Sequence, residues 1–299
     1  MHKRLTKVTL LCLILASVTT GVFAFQRGQW GGGRGNEYGS VRVDRRGVPD
    51  WEIDENFKKD TFTFARVQYS DGSRRGYGGG GYGGFGYGRR GRGGGGKWRI
   101  DYPDSDLNFS LRLQQLTSLK VNPDPVVVRL TDPEVFDYPF LYMIEPGDLL
   151  FSEEEVVALR KYLNNGGFMM VDDFWGHYER ENFEREIRRV FPDKPIEEVP
   201  LEHEIFQCVY PLKERPQVPA LNTYLRGSTY EWRPEGGSEI ASYKAIKDEA
   251  GRIMVFICHN TDLGDGWERE GENHEYFQEF AVKKSYPLGI NIVTYAMTH

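Results

Sequence analysis

From residue 61 onward the chain alternates between two hydrophobic periods. Thr61-Phe62-Thr63-Phe64-Ala65-Arg66-Val67-Gln68-Tyr69 repeats at every second position and is rich in β-formers, which predicts a first strand ending at Ser70-Asp71-Gly72. Asp104 is placed to cap a helix carrying Leu107, Leu111, Leu113, Leu116 and Leu119 and stopped at Asn122-Pro123. Val126-Val127-Val128 and Phe140-Leu141-Tyr142-Met143-Ile144 are short apolar runs suited to buried strands, the second closed by Glu145-Pro146-Gly147. Residues 152–177 then give the clearest unit. Ser152 with Glu155 forms a capping signal, and Val156, Leu159 and Leu163 make one helical face. Asn165-Gly166-Gly167 stops the helix, and an apolar strand follows that must end at Asp172-Asp173.

Tyr178 to Val190 predicts a further helix with Phe183, Ile187 and Val190 inward, stopped by Pro192. Five prolines between residues 195 and 219 rule out a long regular element, and Pro211 to Pro234 reads as an extended excursion, a lid candidate. Ile240–Ile246 and Arg252–Cys258 are two strands joined by Asp248-Glu249-Ala250-Gly251 as a hairpin. His259 to Glu268 reads as a polar loop, and helices over Glu275–Lys283 and Leu288–Met297 close the chain. Strand and helix in alternation predict an α/β fold: a three-layer, doubly wound, mainly parallel sheet with an antiparallel hairpin.

Composition changes the picture mainly at the N-terminus. Residues 1–24 have a basic start, an apolar run from Val8 to Val18 and Val22-Phe23-Ala24 as a small-residue cleavage site, which predicts a signal peptide cut after Ala24 and an exported, periplasmic or secreted, protein. An uncleaved membrane anchor is the alternative, and no later segment is apolar enough to span. Residues 25–60 are a Gly/Arg-rich, then polar, linker with a short ordered piece at Trp51–Phe57, and 61–299 form the α/β domain, interrupted at 72–97 by a loop insertion. Within it, 14 of the 21 residues from Gly76 to Gly96 are glycine, interleaved with tyrosines and arginines; leaving the end of the first strand, this tract reads as a mobile lid or adhesive loop.

Charge is divided. Residues 25–99 carry 15 Lys or Arg against 8 Asp or Glu, and residues 100–299 carry 20 against 36, so the body is acidic within a total of −6. That argues against nucleic acid as partner and suits cations, neutral ligands or a basic partner. Cys208 and Cys258, the two cysteines left after the signal, read as packed thiols, with a disulfide as the alternative.

In open α/β sheets ligands gather beyond the carboxyl ends of the strands, where this chain places Tyr69-Ser70-Asp71, Glu145, Asp172-Asp173 and His259-Asn260-Thr261-Asp262. Carboxylates converging on one edge repel unless something compensates them. The candidate ligand-binding set is therefore Asp71, Glu145, Asp172, Asp173, Trp175, His259, Asn260, Asp262 and Trp267, the tryptophans offering faces for sugar stacking. Asp172, Asp173, His177 and His259 are the catalytic candidates. Asp262-x-x-Asp265-Gly266 lacks the alternating oxygens of an EF-hand, so Ca²⁺ or Mg²⁺ enters only as an ion held between separate loops.

FTFARVQYSDG, KWRIDYPDSDLNFSLRLQQLTSLKV, LYMIEPGDLLFSEEEVVALRKYLNNGGFMMVDDFWG, EHEIFQCVYPL, GRIMVFICHNTDLGDGWE and GINIVTYAMTH resemble a bacterial family known as domain of unknown function 4159. The resemblance implies a flavodoxin-like sandwich similar to class I glutamine amidotransferases, in an envelope or secreted setting, without an established activity. Where amidotransferases carry a cysteine at the elbow, this chain has Asp172-Asp173. The expectation is thus an exported protein that binds a polar small molecule, saccharide-like or a cation, in an acidic cleft. The rivals are a carboxylate/histidine hydrolase and an envelope assembly factor that engages a protein partner through the Gly/Arg-rich segments.

Overall fold

The computed structural model describes residues 44–57, 60–71 and 96–299. The signal-like segment 1–24, the linker up to residue 43 and the body of the glycine tract lie outside the described residues.

Seven strands form one sheet in the order β2-β1-β3-β4-β7-β6-β5: β1 Ala65–Val67, β2 Val126–Val128, β3 Phe140–Ile144, β4 Phe168–Asp172, β5 Glu197–Glu198, β6 Ser242–Lys247 and β7 Ile253–His259. β2, β1, β3, β4 and β7 are parallel neighbours, while β6 runs antiparallel to β7 and β5 antiparallel to β6. Strand order reverses at β1 and β3, because the chain moves outward from β1 to β2 and then returns to β1's other side.

Alternation along the strands builds two cores. On β4, Phe168 and Met170 face a core shared with Phe109 and Leu113 of helix α1 (Asp104–Leu116), Trp267 of α5 (Leu263–Glu268) and Leu288 and Ile292 of α7 (Tyr286–Thr298). Met169 and Val171 face the opposite core, closed by Val156, Leu159 and Leu163 of α2 (Glu153–Asn164) and by Phe183, Ile187 and Val190 of α3 (Gly176–Val190). Helices cover both faces of a mainly parallel sheet, as expected for an α/β protein. The capping box of α2 is complete: Ser152 Oγ accepts from Glu155 N–H, and the Glu155 carboxylate accepts from Ser152 N–H at 2.8 Å.

Several expectations need correction. Asp104 does not cap α1; Pro103 holds that position, and the Asp104 carboxylate pairs with Arg46 at 2.7 Å. The helix ends at Leu116, which is exposed, and its buried face includes the polar Ser105, Asp106 and Ser110. The 211–234 excursion contains a short helix, α4 (Leu221–Leu225), and the 259–268 loop contains helix α5. The C-terminal helices form one continuous run: α6 (His274–Tyr276), a π-helical stretch Phe277–Ser285, and α7. Pro287 has no N–H to donate backward, and the wider π turn precedes it where an α-helical register would be interrupted. Cys258 is buried and Cys208 exposed, both as free thiols, so only the first is packed. Among the described residues no helix is long and apolar enough to cross a membrane.

Candidate cation site at the strand ends

Beyond the carboxyl ends of the parallel strands the backbone takes an unusual form. Glu145 after β3 (φ 47), Asp173 after β4 (φ 56), Asn260 after β7 (φ 61) and Asp101 before α1 (φ 60) all sit in the left-handed region, which side chains other than glycine rarely adopt. Strain of this kind, about 1–3 kcal/mol per residue, persists where surrounding structure over-determines it, and it clusters at functional sites.

Asp172, the last residue of β4, stands level with Ile144 of β3 and faces the α1/α5 side. Its Oδ2 accepts from Tyr142 Oη (3.1 Å) and from the first two backbone N–H groups of α5, Leu263 (3.0 Å) and Gly264 (3.1 Å). Burial still pushes its pKa up to about 7 against those hydrogen bonds, and its Oδ1 has no hydrogen-bond partner among the described residues. Asp173 Oδ1 accepts from Trp175 Nε1 at 3.0 Å. Asp262 caps α5, its Oδ1 accepting from Asp265 N–H at 2.7 Å.

Asp101 completes the group. Its segment is tied down by Arg66, a fully buried arginine in β1 whose Nη1 donates to the carbonyls of Trp98 (3.1 Å) and Ile100 (3.0 Å). Arg66 Nε donates to Asp106 Oδ2 at 2.9 Å and Nη2 to Ser105 Oγ at 2.9 Å, and the guanidinium lies over the Tyr142 ring. The approach of α5 requires glycine: a Cβ at position 264 would fall 2.7 Å from Asp101 Oδ2 and 2.8 Å from Tyr142 Oη.

Asp101, Asp173 and Asp262 each offer a carboxylate oxygen, and these oxygens lie within 4.8 Å of one another. Asp101 Oδ2 is buried with no hydrogen-bond partner among the described residues. All three carboxyls are held well above the usual range. Burial is the largest cause for each; after it come Glu145 for Asp173, Asp173 for Asp262, and Glu268 for Asp101. A neighbouring group makes the contrast. Asp101 also approaches Asp265 and Glu268, but there Arg269 Nε stands 3.1 Å from Asp265 and 2.7 Å from Glu268. Among the described residues no lysine or arginine pairs with Asp101, Asp173 or Asp262.

Two more of the expected residues lie at the rim. Glu145, pushed up to about 7 by burial despite Lys97, has its carboxylate 3.5 Å from Lys97 Nζ and faces Glu179, Glu231 and Arg233. Asp71 Oδ2 accepts from Lys97 N–H at 2.9 Å.

The remaining expected residues go elsewhere. Trp175 and Trp267 are completely buried and present no face to a sugar: Trp175 orients Asp173, and Trp267 packs on Phe109 with ring centroids 4.4 Å apart. Asn260 works on backbone, accepting from Gly176 N–H (2.9 Å) and donating to the carbonyls of Gly237 (2.7 Å) and Ile240 (2.8 Å). His259 points to the α3 side of the sheet, its ring against Phe174 and its Nε2 3.0 Å from the Gly176 carbonyl. His177 and His259 line a cleft whose lining includes none of the three clustered carboxylates. The residues missed in sequence are Asp101 and Arg66; the available signal was an arginine at the inward register shared with Phe62 and Phe64.

Fold and site together describe a mainly parallel α/β protein with a concentration of buried acid at its strand ends. A family model described as "Domain of unknown function (DUF4159)" matches residues 63–297, and the chain belongs to that family. No curated protein matches it.

Proposed function

We propose that this is an exported protein that binds a hard divalent cation through Asp101, Asp173 and Asp262, with Asp172 holding α5 in place behind them. The observation that carries this reading is the group of three carboxylates, Asp173 and Asp262 on buried residues and Asp101 with a buried oxygen, to which no basic side chain is paired among the described residues, beside a second group in which Arg269 pairs with Asp265 and Glu268. Oxygen-only donors select hard ions. Ca²⁺, with ligands at about 2.3–2.6 Å, spans oxygen separations up to the 4.8 Å limit seen here more readily than Mg²⁺ at about 2.1 Å.

The parallel strand order β2-β1-β3-β4-β7 supports the flavodoxin-like, amidotransferase-like reading of the fold, with β7 as fifth strand. Asp173 then occupies the strained strand-to-helix turn where amidotransferases carry their cysteine. Hydrolysis is the weaker reading, because an imidazole beside the carboxylates is what a histidine-assisted mechanism needs and both candidate histidines line the other cleft. With both tryptophans buried, a saccharide loses its stacking platform and the cation is preferred. Export rests on residues 1–24, and N-terminal sequencing of envelope or secreted material should begin at Phe25; retention of Met1 there contradicts cleavage.

Calorimetric titration of Ca²⁺ into chelator-treated protein at pH 7.5 tests the binding. The expected result is one saturable site, weakened at least about tenfold (about 1.4 kcal/mol) in Asp173→Asn and unchanged in His177→Gln. Absence of binding, or equal affinity in Asp173→Asn, contradicts the proposal.

A further inference from the structure

The cleft on the other side of the β4 and β7 ends has the opposite character. It has a volume of about 280 Å³ and is lined by Arg180 of α3, Arg215 of the proline-rich excursion and Lys244 of β6 against one carboxylate, Glu198 of β5, together with His177, His259 and Ser242. Three separate elements thus deliver cations to one place on a body whose residues 100–299 carry 20 basic against 36 acidic side chains.

Local acids do not neutralise them fully. Among the described residues Glu184 answers Arg180 (3.5 Å), Arg188 (3.6 Å) and Lys244 (3.6 Å), all at the long end of ion-pair distances. Arg215 pairs with the half-exposed Glu198 through Nη1 and donates from Nη2 to the Val199 carbonyl at 3.1 Å, so an anion there competes with Glu198 for it. His259 does not add charge, since burial first, then the nearby Arg180, Lys244 and His177, push its pKa down to about 4. We infer that this cleft binds a phosphoryl group, held between the guanidiniums of Arg180 and Arg215 with Lys244 as a point charge and Ser242 and His177 as further hydrogen-bonding groups. Arginine forks match the planar pairs of oxygens on a tetrahedral oxyanion, and a lysine adds charge without directional demand. The volume accommodates a phosphate or the phosphorylated end of a larger molecule.

The test is an NMR titration of the full chain with inorganic phosphate, following the ring Cε1–H signals of His177 and His259 at ionic strength held constant with sodium chloride. Both signals should shift saturably. The double variant Arg180→Gln/Lys244→Gln should weaken the response at least about tenfold, and acetate should bind at least about tenfold more weakly than phosphate. The replaced ion pairs are long and partly exposed, so an unchanged melting temperature verifies that the variant is folded. Tighter binding of phenyl phosphate than of inorganic phosphate assigns the group to an organic phosphoester; equal or weaker binding assigns it to the free ion. Asp173→Asn should leave the phosphate response intact, which keeps this inference separate from the cation site. A shift reproduced by chloride alone, an undiminished response in the double variant, or acetate binding as tightly as phosphate overturns it.

Discussion

Arg66→Met is expected to destabilise the protein by about 3–5 kcal/mol, a large part of the roughly 5–15 kcal/mol that holds a typical domain folded. Arg66 and Asp106 are both fully buried, and Arg66 also supports the carbonyls of Trp98 and Ile100. Removing the cation leaves the Asp106 carboxylate uncompensated inside the α1 core and two carbonyls short of a donor. Replacing both partners, as in Arg66→Met/Asp106→Leu, should recover part of the loss, because a buried ion pair exchanged for apolar side chains of similar size is often close to neutral. Urea denaturation measures both. A single variant within about 1 kcal/mol of the natural chain would show that this pair is not what anchors the Asp101 segment.

Without cation, the protein should be less stable at pH 8 than at pH 5, the reverse of the common trend. Asp172, Glu145 and Glu268 are each pushed up to about 7 from ordinary values near 4, and Asp101, Asp173 and Asp262 are raised as well. Between about pH 4 and 7 the folded chain holds protons that the unfolded chain has released. Stability from these groups is therefore complete below pH 4 and is lost as pH rises through 7, by up to about 1.4 kcal/mol per pH unit for each proton involved. His259 acts in the other direction: its lowered pKa gives stability that is present above about 6.5 and lost toward 4. His203, also lowered, and the lowered carboxyls of Glu154, Asp248 and Glu279 act with it, but they oppose eight raised carboxyls, Asp104 and Glu231 being the other two, so the acids set the sign. Melting in chelator should fall between pH 5 and 8, and saturating Ca²⁺ should restore it at pH 8 by about 2.7 kcal/mol at one hundred times Kd, with little effect at pH 5. A melting temperature that rises with pH in chelator contradicts the raised acids.

These two expectations rest on residues of different legibility. The β4 unit was readable because every local signal agreed: the capping box, the glycine stop and an apolar run ending at two aspartates. The position of Asp172 and Asp173 followed from topology alone. Asp101 was hidden because its place is set by Arg66 across a long insertion, a contact that no local period reveals. Arg66 in turn explains α1, whose buried face carries Asp106 and Ser105 beside Leu107, Phe109 and Leu113. His259 was misplaced by register. Alternation separates it from Cys258, but only the pairing of Val171 with Ile257 decides which of the two shares a face with Asp172, and it is Cys258. The tryptophans show the limit of residue type as a guide: beside acids they suggested an open platform, and both belong to the interior.

Terbium luminescence tests the central claim most directly, since Tb³⁺ takes the place of Ca²⁺ at carboxylate sites and emits when a nearby indole absorbs. Trp175 donates a hydrogen bond to Asp173, so an ion on that carboxylate lies within reach of its energy transfer. Excitation of the tryptophans should give saturable Tb³⁺ emission that Ca²⁺ displaces, that dims in Trp175→Phe, and that disappears in Asp101→Asn/Asp173→Asn. Emission that survives in the double variant, or none in the natural chain, contradicts a cation held by these carboxylates.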